Sequence, residues 1–272
     1  MPTFVLPFPV IDPVLIEIGP LAIRWYALGY IAGILLGWWY ARRLVSNETL
    51  WAPARPAMTR EDIDDFILWI TFGIILGGRI GYVLFYNFEV YLQNPLEALK
   101  LWQGGMSFHG GFIGSVLAII LFARRRGVRL WSLLDISAIC TPFGLFFGRL
   151  ANFINGELWG RPSDVPWAMV FPGAGPEPRH PSQLYEAALE GIVLFVVLWI
   201  LAHRFHAFKK PGLIAGTFTA GYGISRFIVE FFRQPDAQIG FLSGGLTMGM
   251  LLSLPMIVLG LWCIAGSRRR TL

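Results

Sequence analysis

Seven apolar runs, at about 21–40, 65–86, 107–124, 131–151, 187–203, 213–232 and 241–265, constrain this chain more than any other feature. Each is long enough to cross roughly 30 Å of hydrocarbon as a helix. A backbone in lipid must satisfy its own hydrogen bonds, so such runs specify closed helices. Composition points the same way: 14% of residues are charged, against about 25% in soluble domains. With 55% hydrophobic residues, including 22 Phe and 11 Trp, too little polar surface remains to cover a globule in water. The expected fold is an all-α polytopic membrane protein with about seven transmembrane helices, residues 1–272 forming a single integral membrane domain.

The formal charge of +5 is carried by short basic clusters between the apolar runs, which suits a membrane surface better than nucleic acid. The segments after the first, third, fifth and seventh runs hold Arg42, Arg43, Arg55 and Arg60, then Arg124, Arg125, Arg126 and Arg129, then Arg204, Lys209 and Lys210, then Arg268, Arg269 and Arg270. The opposite side holds Lys100, Arg161 and Arg179, with Arg149 and Arg233 at its border. Basic residues accumulate on the cytoplasmic side, so the N-terminus is expected outside and the C-terminus in the cytoplasm. Residues 152–186 then form an outer segment between the fourth and fifth spans. No Lys or Arg precedes Arg24, so the start lacks the positive n-region of a cleavable signal peptide, and the first apolar segment is expected to be retained. Pro2, Pro7, Pro9, Pro13 and Pro20 prevent residues 1–20 from forming one continuous helix, and an outer interfacial position is expected for them.

Glycines recur at spacing four: Gly29, Gly33 and Gly37; Gly73, Gly77 and Gly81; Gly110 and Gly114; Gly144 and Gly148. Such ridges let helices approach closely. More telling are polar groups where lipid is expected. A charge at mid-span costs about 2.5–3.5 kcal/mol on insertion scales, so each one needs a partner or a task. In the sixth run Tyr222, Arg226, Glu230 and Arg233 sit at i, i+4, i+8 and i+11, one stripe of a continuous helix. Arg226 and Glu230 can form an ion pair on that stripe. In the fourth run Arg149 and Asn152 share a face, with Glu157 placed to be a counter-ion of Arg149 or Arg161. His109 opens the third run beside Gly110 and Gly111, and Tyr26 and Arg79 stand near the ends of the first and second. With the orientation above, all of these fall in the outer half of the membrane. Arginine forks at one depth suit an anionic, phosphate-like group.

The stretch GRLANFINGELWGR at 148–161, SFHGG at 107–111, HPSQLYE at 180–186 and YGISRFIVEFFRQPD at 222–236 together resemble the bacterial prolipoprotein diacylglyceryl transferase family. The resemblance extends from Tyr26 to Asp236. It implies an enzyme of the bacterial inner membrane with a periplasmic site. The implied reaction moves the diacylglyceryl group of phosphatidylglycerol onto the lipobox cysteine of a preprolipoprotein and releases glycerol 1-phosphate, the first step of lipoprotein maturation. The implied catalytic residues are His109, Arg149 and Arg226. Tyr26, Arg79, Asn152, Glu157, Gly160, Tyr222 and Glu230 are implied to bind substrate or shape the site, with His180 and Gln183 behind them. His109 is the natural base for the incoming thiol, because histidine titrates nearest neutrality among side chains. An arginine-centred scheme is the alternative.

Other chemistries lack their signatures. HExxH, CxxC and clustered carboxylates at ligand spacing are absent, so no metal cofactor is expected. GxSxG, GxGxxG and P-loop patterns are also absent. Cys140 and Cys263 both lie in apolar runs, and neither reads as a nucleophile, which leaves the thiol to arrive with the substrate. The competing reading is a transporter or channel for an anionic lipid or solute built on the same arginines. It calls for polar residues through the full membrane depth or for inverted repeats with broken helices, whereas the inner halves of these runs are almost purely apolar.

Overall fold

The computed structural model describes residues 6–19, 21–101, 104–235 and 240–270. Pro2, Pro20 and Asp236 lie outside them. A short hairpin, β1 (Val14–Ile18) and β2 (Leu21–Arg24), is followed by α1 (Trp25–Ser46), α2 (Arg60–Phe85), α3 (Phe88–Gln93), α4 (Phe108–Arg126) and α5 (Leu130–Ile154). Then come α6 (Ser182–Glu186), a π-wound stretch (Ala187–Val193), α7 (Leu194–His203), α8 (Leu213–Val229) and α9 (Met248–Ser267).

Among the described residues, five helices are long and apolar enough to cross a membrane: α2, α4, α5, the run Ser182–His203 and α9. The chain is therefore a helical, multi-pass membrane protein. The other two apolar runs are helical as well. α1 has 22 residues, diluted by Trp, Tyr and a terminal Arg pair. The 17 residues of α8 span only about 26 Å at 1.5 Å each.

Two boundaries differ from the expectation. The first run does not begin as helix at residue 21, because Leu21–Arg24 pairs antiparallel with β1 in register Val14↔Arg24 and Glu17↔Ala22. β-branched residues in both strands and Gly19, at φ +59 in the turn, favour the hairpin. The sixth run stops being helix at Val229, short of 232, so Tyr222 and Arg226 are helical while Arg233 lies beyond the end. Arg233 forms an isolated antiparallel bridge with Gly160 instead. It therefore cannot belong to a helical stripe.

The chain divides into two compact units. The second contains Arg42–Glu48 and Arg55–Leu134. There α2 starts on a capping box: the Thr59 hydroxyl accepts from the Asp62 amide at 3.1 Å, and the Asp62 carboxylate accepts from the Thr59 amide at 2.9 Å. This cap moves the helix start to Arg60, ahead of the apolar run. α2 lies against α4 glycine on glycine. A Cβ on Gly77 would come 2.8 Å from Cα of Gly114, and one on Gly81 would come 2.8 Å from Cα of Gly110. α4 is capped by Ser107, whose hydroxyl accepts from the Gly110 amide at 3.2 Å, and ends at Gly127 in the left-handed region, φ +66.

The first unit holds the hairpin, α1 as far as Ala41, Thr49–Ala54 and the chain from Asp135 onward. α1 meets α5 where Gly33 faces Gly144, a Cβ on Gly33 falling 2.8 Å from Cα of Gly144. α8 runs along α9 through Gly216, Ala220 and Gly260. Asp135 of α5 is fully buried and accepts from the backbone amides of Gly212 at 2.7 Å and Ala215 at 2.8 Å. A carboxylate from one helix thus caps the N-terminus of another. It ties the start of α8 to α5, the two helices whose far ends carry Arg226 and Arg149.

Candidate active site

At the far ends of α5 and α8 lies a cluster of three guanidinium groups and three carboxylates, all within the first unit. Glu186 and Glu190 are fully buried and Glu230 is 2% exposed. Arg149 Nη1 lies 3.1 Å from Glu186 Oε2. Its Nε and Nη2 donate to Glu190 Oε2 at 3.3 and 3.2 Å. Arg226 Nη1 donates to Glu186 Oε1 at 2.5 Å and its Nη2 pairs with Glu230. Arg233 Nη1 donates to Glu186 Oε1 at 3.0 Å, and the Thr247 hydroxyl donates to Glu230 Oε2 at 2.5 Å. Charges taken out of water are tolerated only when paired and hydrogen-bonded. Here every charge has an opposite one beside it, so the cluster is internally neutral.

The expected Arg226–Glu230 pair is present. Glu157 does not have the expected role of counter-ion to Arg149 or Arg161. Its Oε1 accepts from Asn152 Nδ2 at 2.8 Å and from Asn155 Nδ2 at 3.3 Å. Asn152 Nδ2 also lies 3.4 Å from the Tyr26 hydroxyl, so Tyr26, Asn152 and Glu157 form one polar chain. Arg161 turns to backbone instead, donating to the carbonyls of Glu230 at 2.8 Å and Arg233 at 2.9 Å. Tyr222, one helical turn before Arg226, is close enough to Glu190, Arg149 and Arg226 to interact with them electrostatically.

The loop carrying Glu157 is held by the residues that follow Pro181. Ser182 and Gln183 are fully buried. Ser182 Oγ donates to the Leu158 carbonyl at 3.0 Å, and Gln183 Nε2 donates to the Glu157 carbonyl at 2.5 Å. These bonds restrain Leu158 at φ +58, a costly conformation for a branched residue. Gly160 sits where no side chain fits. A Cβ there would fall 2.6 Å from His180 Cβ, from the His180 carbonyl and from the Phe232 carbonyl. Tyr185 joins two residues of this region: Trp167 Nε1 donates to its hydroxyl at 2.6 Å, and the hydroxyl lies 3.0 Å from His180 Nδ1. An indole can only donate, so the tyrosine proton is free to point at Nδ1. Burial also pushes the His180 pKa below its ordinary value.

Arg79 and His109 belong to the second unit. Arg79 is 5% exposed. Its donors are occupied by the backbone carbonyls of Glu97, Ala98, Lys100, Gly104 and Gly105 at 2.6–3.4 Å, and its guanidinium stacks over Tyr91. It fastens the segment between α3 and α4. His109 is exposed in the first turn of α4 beside Phe108.

Sequence reasoning missed Glu186 and Glu190 as members of the site. Glu190 interrupts an apolar run and carried the same signal as Arg226: a charge in such a run needs a partner.

The fold and the cluster define a helical membrane protein with a buried arginine–carboxylate centre. The family model described as prolipoprotein diacylglyceryl transferase matches residues 13–265, and the chain belongs to that family. Curated relatives named phosphatidylglycerol–prolipoprotein diacylglyceryl transferase include one from Rhizobium meliloti, 62% identical over 265 residues, covering 97% of this chain and 95% of the relative. One from Allorhizobium ampelinum is 61% identical, covering 97% and 93% respectively. One from Brucella canis is 59% identical, covering 99% and 96%.

Proposed function

We propose that this protein transfers the diacylglyceryl group of phosphatidylglycerol to the thiol of the lipobox cysteine in preprolipoproteins, forming a thioether and releasing glycerol 1-phosphate. The observation that carries this reading is the convergence of Arg149 and Arg226, from two different helices, on opposite oxygens of Glu186. Two forks held at one carboxylate match the phosphate of a lipid headgroup.

In the proposed reaction the thiol sulfur attacks the glycerol carbon, the C–S bond forms and the C–O bond to phosphate breaks. The leaving group gains one negative charge as the thiol proton departs to a base. Arg149 and Arg226 stabilise that charge as it develops. A lost donor in such a role costs about 3–4 kcal/mol of barrier stabilisation. His109 takes the thiol proton. Tyr26, Asn152 and Glu157 bind and orient the glycerol hydroxyls through their shared hydrogen bonds. Gly160 lets the chain pass close to the site, and Tyr222 and Glu230 flank Arg226. Arg79 keeps the substrate-binding role that the resemblance implies, and within the second unit it fastens the segment between α3 and α4.

We further assign α1 and α8 as spans, making seven. The basic clusters orient them with the N-terminus in the periplasm and the C-terminus in the cytoplasm of the bacterial inner membrane. Residues 152–186 then face the periplasm. The test is to incubate purified protein with phosphatidylglycerol and a lipobox peptide. Thioether-linked diacylglycerol on the cysteine is expected, and its absence would end the transferase reading.

A further inference from the structure

Glu190 stands outside every motif that carries the family resemblance, yet it is fully buried in the centre of the cluster. It is carried on the π-wound stretch Ala187–Val193, a rare winding that occurs frequently at functional sites. Gly191 beside it lies so close to α5 that a Cβ there would fall 2.7 Å from Cβ of Phe146. That approach brings Glu190 to Arg149, one turn further along α5.

The three carboxylates of the cluster are not equally held. Glu186 receives Arg149, Arg226 and Arg233. Glu230 receives Arg226 and Thr247. Glu190 receives Arg149 alone, through Oε2. Its Oε1, like Oε2 of Glu186, is buried without a hydrogen bond among the described residues, but Oε2 of Glu186 still has Arg149 beside it at 3.1 Å. The cluster as it stands is neutral. A phosphate monoanion cannot join it without leaving one negative charge uncompensated, and an uncompensated buried charge is costly. A carboxylate must give way, and the least held one is Glu190.

We propose that Glu190 is a placeholder for the phosphate. Its carboxylate occupies the Nε–Nη2 edge of Arg149, yields that edge to the lipid headgroup, and reclaims it as glycerol 1-phosphate departs. Glu190 is thus a positioning residue that keeps Arg149 aimed between turnovers and limits how tightly the product is retained.

This inference rests on the transferase reading, and the experiment separates the two. Inhibition by glycerol 1-phosphate and KM for phosphatidylglycerol are measured on the purified full chain in detergent, beside thermal unfolding. Glu190→Gln keeps the shape and an acceptor oxygen but removes the competing charge. It is expected to bind glycerol 1-phosphate at least about tenfold tighter, with KM falling in parallel and kcat reduced by slow release. Unchanged or weaker product inhibition in a folded Glu190→Gln variant overturns the proposal. If that variant does not fold, Glu190→Asp is the second test. Its shorter reach loosens the hold on Arg149, so product inhibition tightens by about threefold, and no tightening again overturns the proposal. A parent protein that forms no thioether sinks the transferase reading itself, whereas an active parent with unaltered product inhibition in the variants sinks only the placeholder.

Discussion

Arg149 and Arg226 reach the two oxygens of one carboxylate: Arg149 Nη1 is 3.1 Å from Oε2 of Glu186, and Arg226 Nη1 is 2.5 Å from Oε1. The acid sets the spacing between the two guanidiniums and holds both within the cluster. Glu186→Ala would leave Arg149, Arg226 and Arg233 short of a shared counter-charge. Breaking a buried pair from one side costs about 3–5 kcal/mol. A lowered thermal unfolding midpoint together with lost activity is the expected outcome, read by unfolding in detergent. A midpoint equal to that of the parent would show that the arginines do not depend on Glu186.

Arg226→Lys keeps the charge but replaces the fork, which now serves Glu186 and Glu230 at once, with a single ammonium. Turnover should fall by about 10²–10³, with membrane insertion and expression close to those of the parent. Near-normal kcat would exclude a two-pronged grip on phosphate.

Gly160→Ala puts a methyl group within 2.6 Å of two carbonyl oxygens, those of His180 and Phe232. The Gly160 amide also donates to the His180 carbonyl at 2.8 Å, so the loop must shift rather than relax locally. Activity should fall more than about tenfold, while the helical content by circular dichroism stays that of the parent. Retention of full activity would mean that the loop is not held to this geometry.

Asp135→Ala removes the acceptor for the Gly212 and Ala215 amides. Leaving buried donors unsatisfied costs about 1–3 kcal/mol. The start of α8 should then exchange its amide hydrogens faster than in the parent, by mass spectrometry of deuterium uptake. Equal uptake would remove Asp135 as the fastener of that helix.

His180 supplies a pH dependence whose sign follows from its burial, which lowers the imidazole pKa. The unfolded chain then binds more protons between the folded value and the ordinary one of about 6.5, so stability rises with pH across that window. The contribution is fully present above about pH 6.5 and is lost as pH falls through the folded value. His180→Asn should flatten the acid side of a plot of unfolding midpoint against pH. An identical slope in the variant would assign the dependence elsewhere.

Much of the site was legible because polar residues in apolar runs are conspicuous. Arg149, Asn152 and Arg226 all announce themselves in this way, and the ion pair between Arg226 and Glu230 followed from i, i+4 spacing alone. Arg233 shows where that logic fails. Its spacing suited the stripe, but a helix end depends on competing partners, and Gly160 draws Arg233 into an extended bridge. For Glu157 sequence distance offered Arg149 or Arg161 as a partner, whereas beside the restrained turn at Leu158 its carboxylate accepts from two asparagines. The π winding at Ala187–Val193 has no compositional signature, so the proximity of Glu190 to Arg149 could not be read ahead of the structure. The hairpin was hidden by its length, since its second strand of 4 residues is short enough to be absorbed into the apolar run that begins at about residue 21.

The glycine contact between α2 and α4 limits how that helix pair can change. Where Gly77 and Gly81 meet Gly110 and Gly114, backbone touches backbone with no side chains to rotate or interdigitate differently. Such a seam has no intermediate settings. It cannot loosen by degrees to admit a guest, so any movement in this pair must be a sliding or a parting of whole rods, and sequence drift at the seam can proceed only through other residues nearly as small.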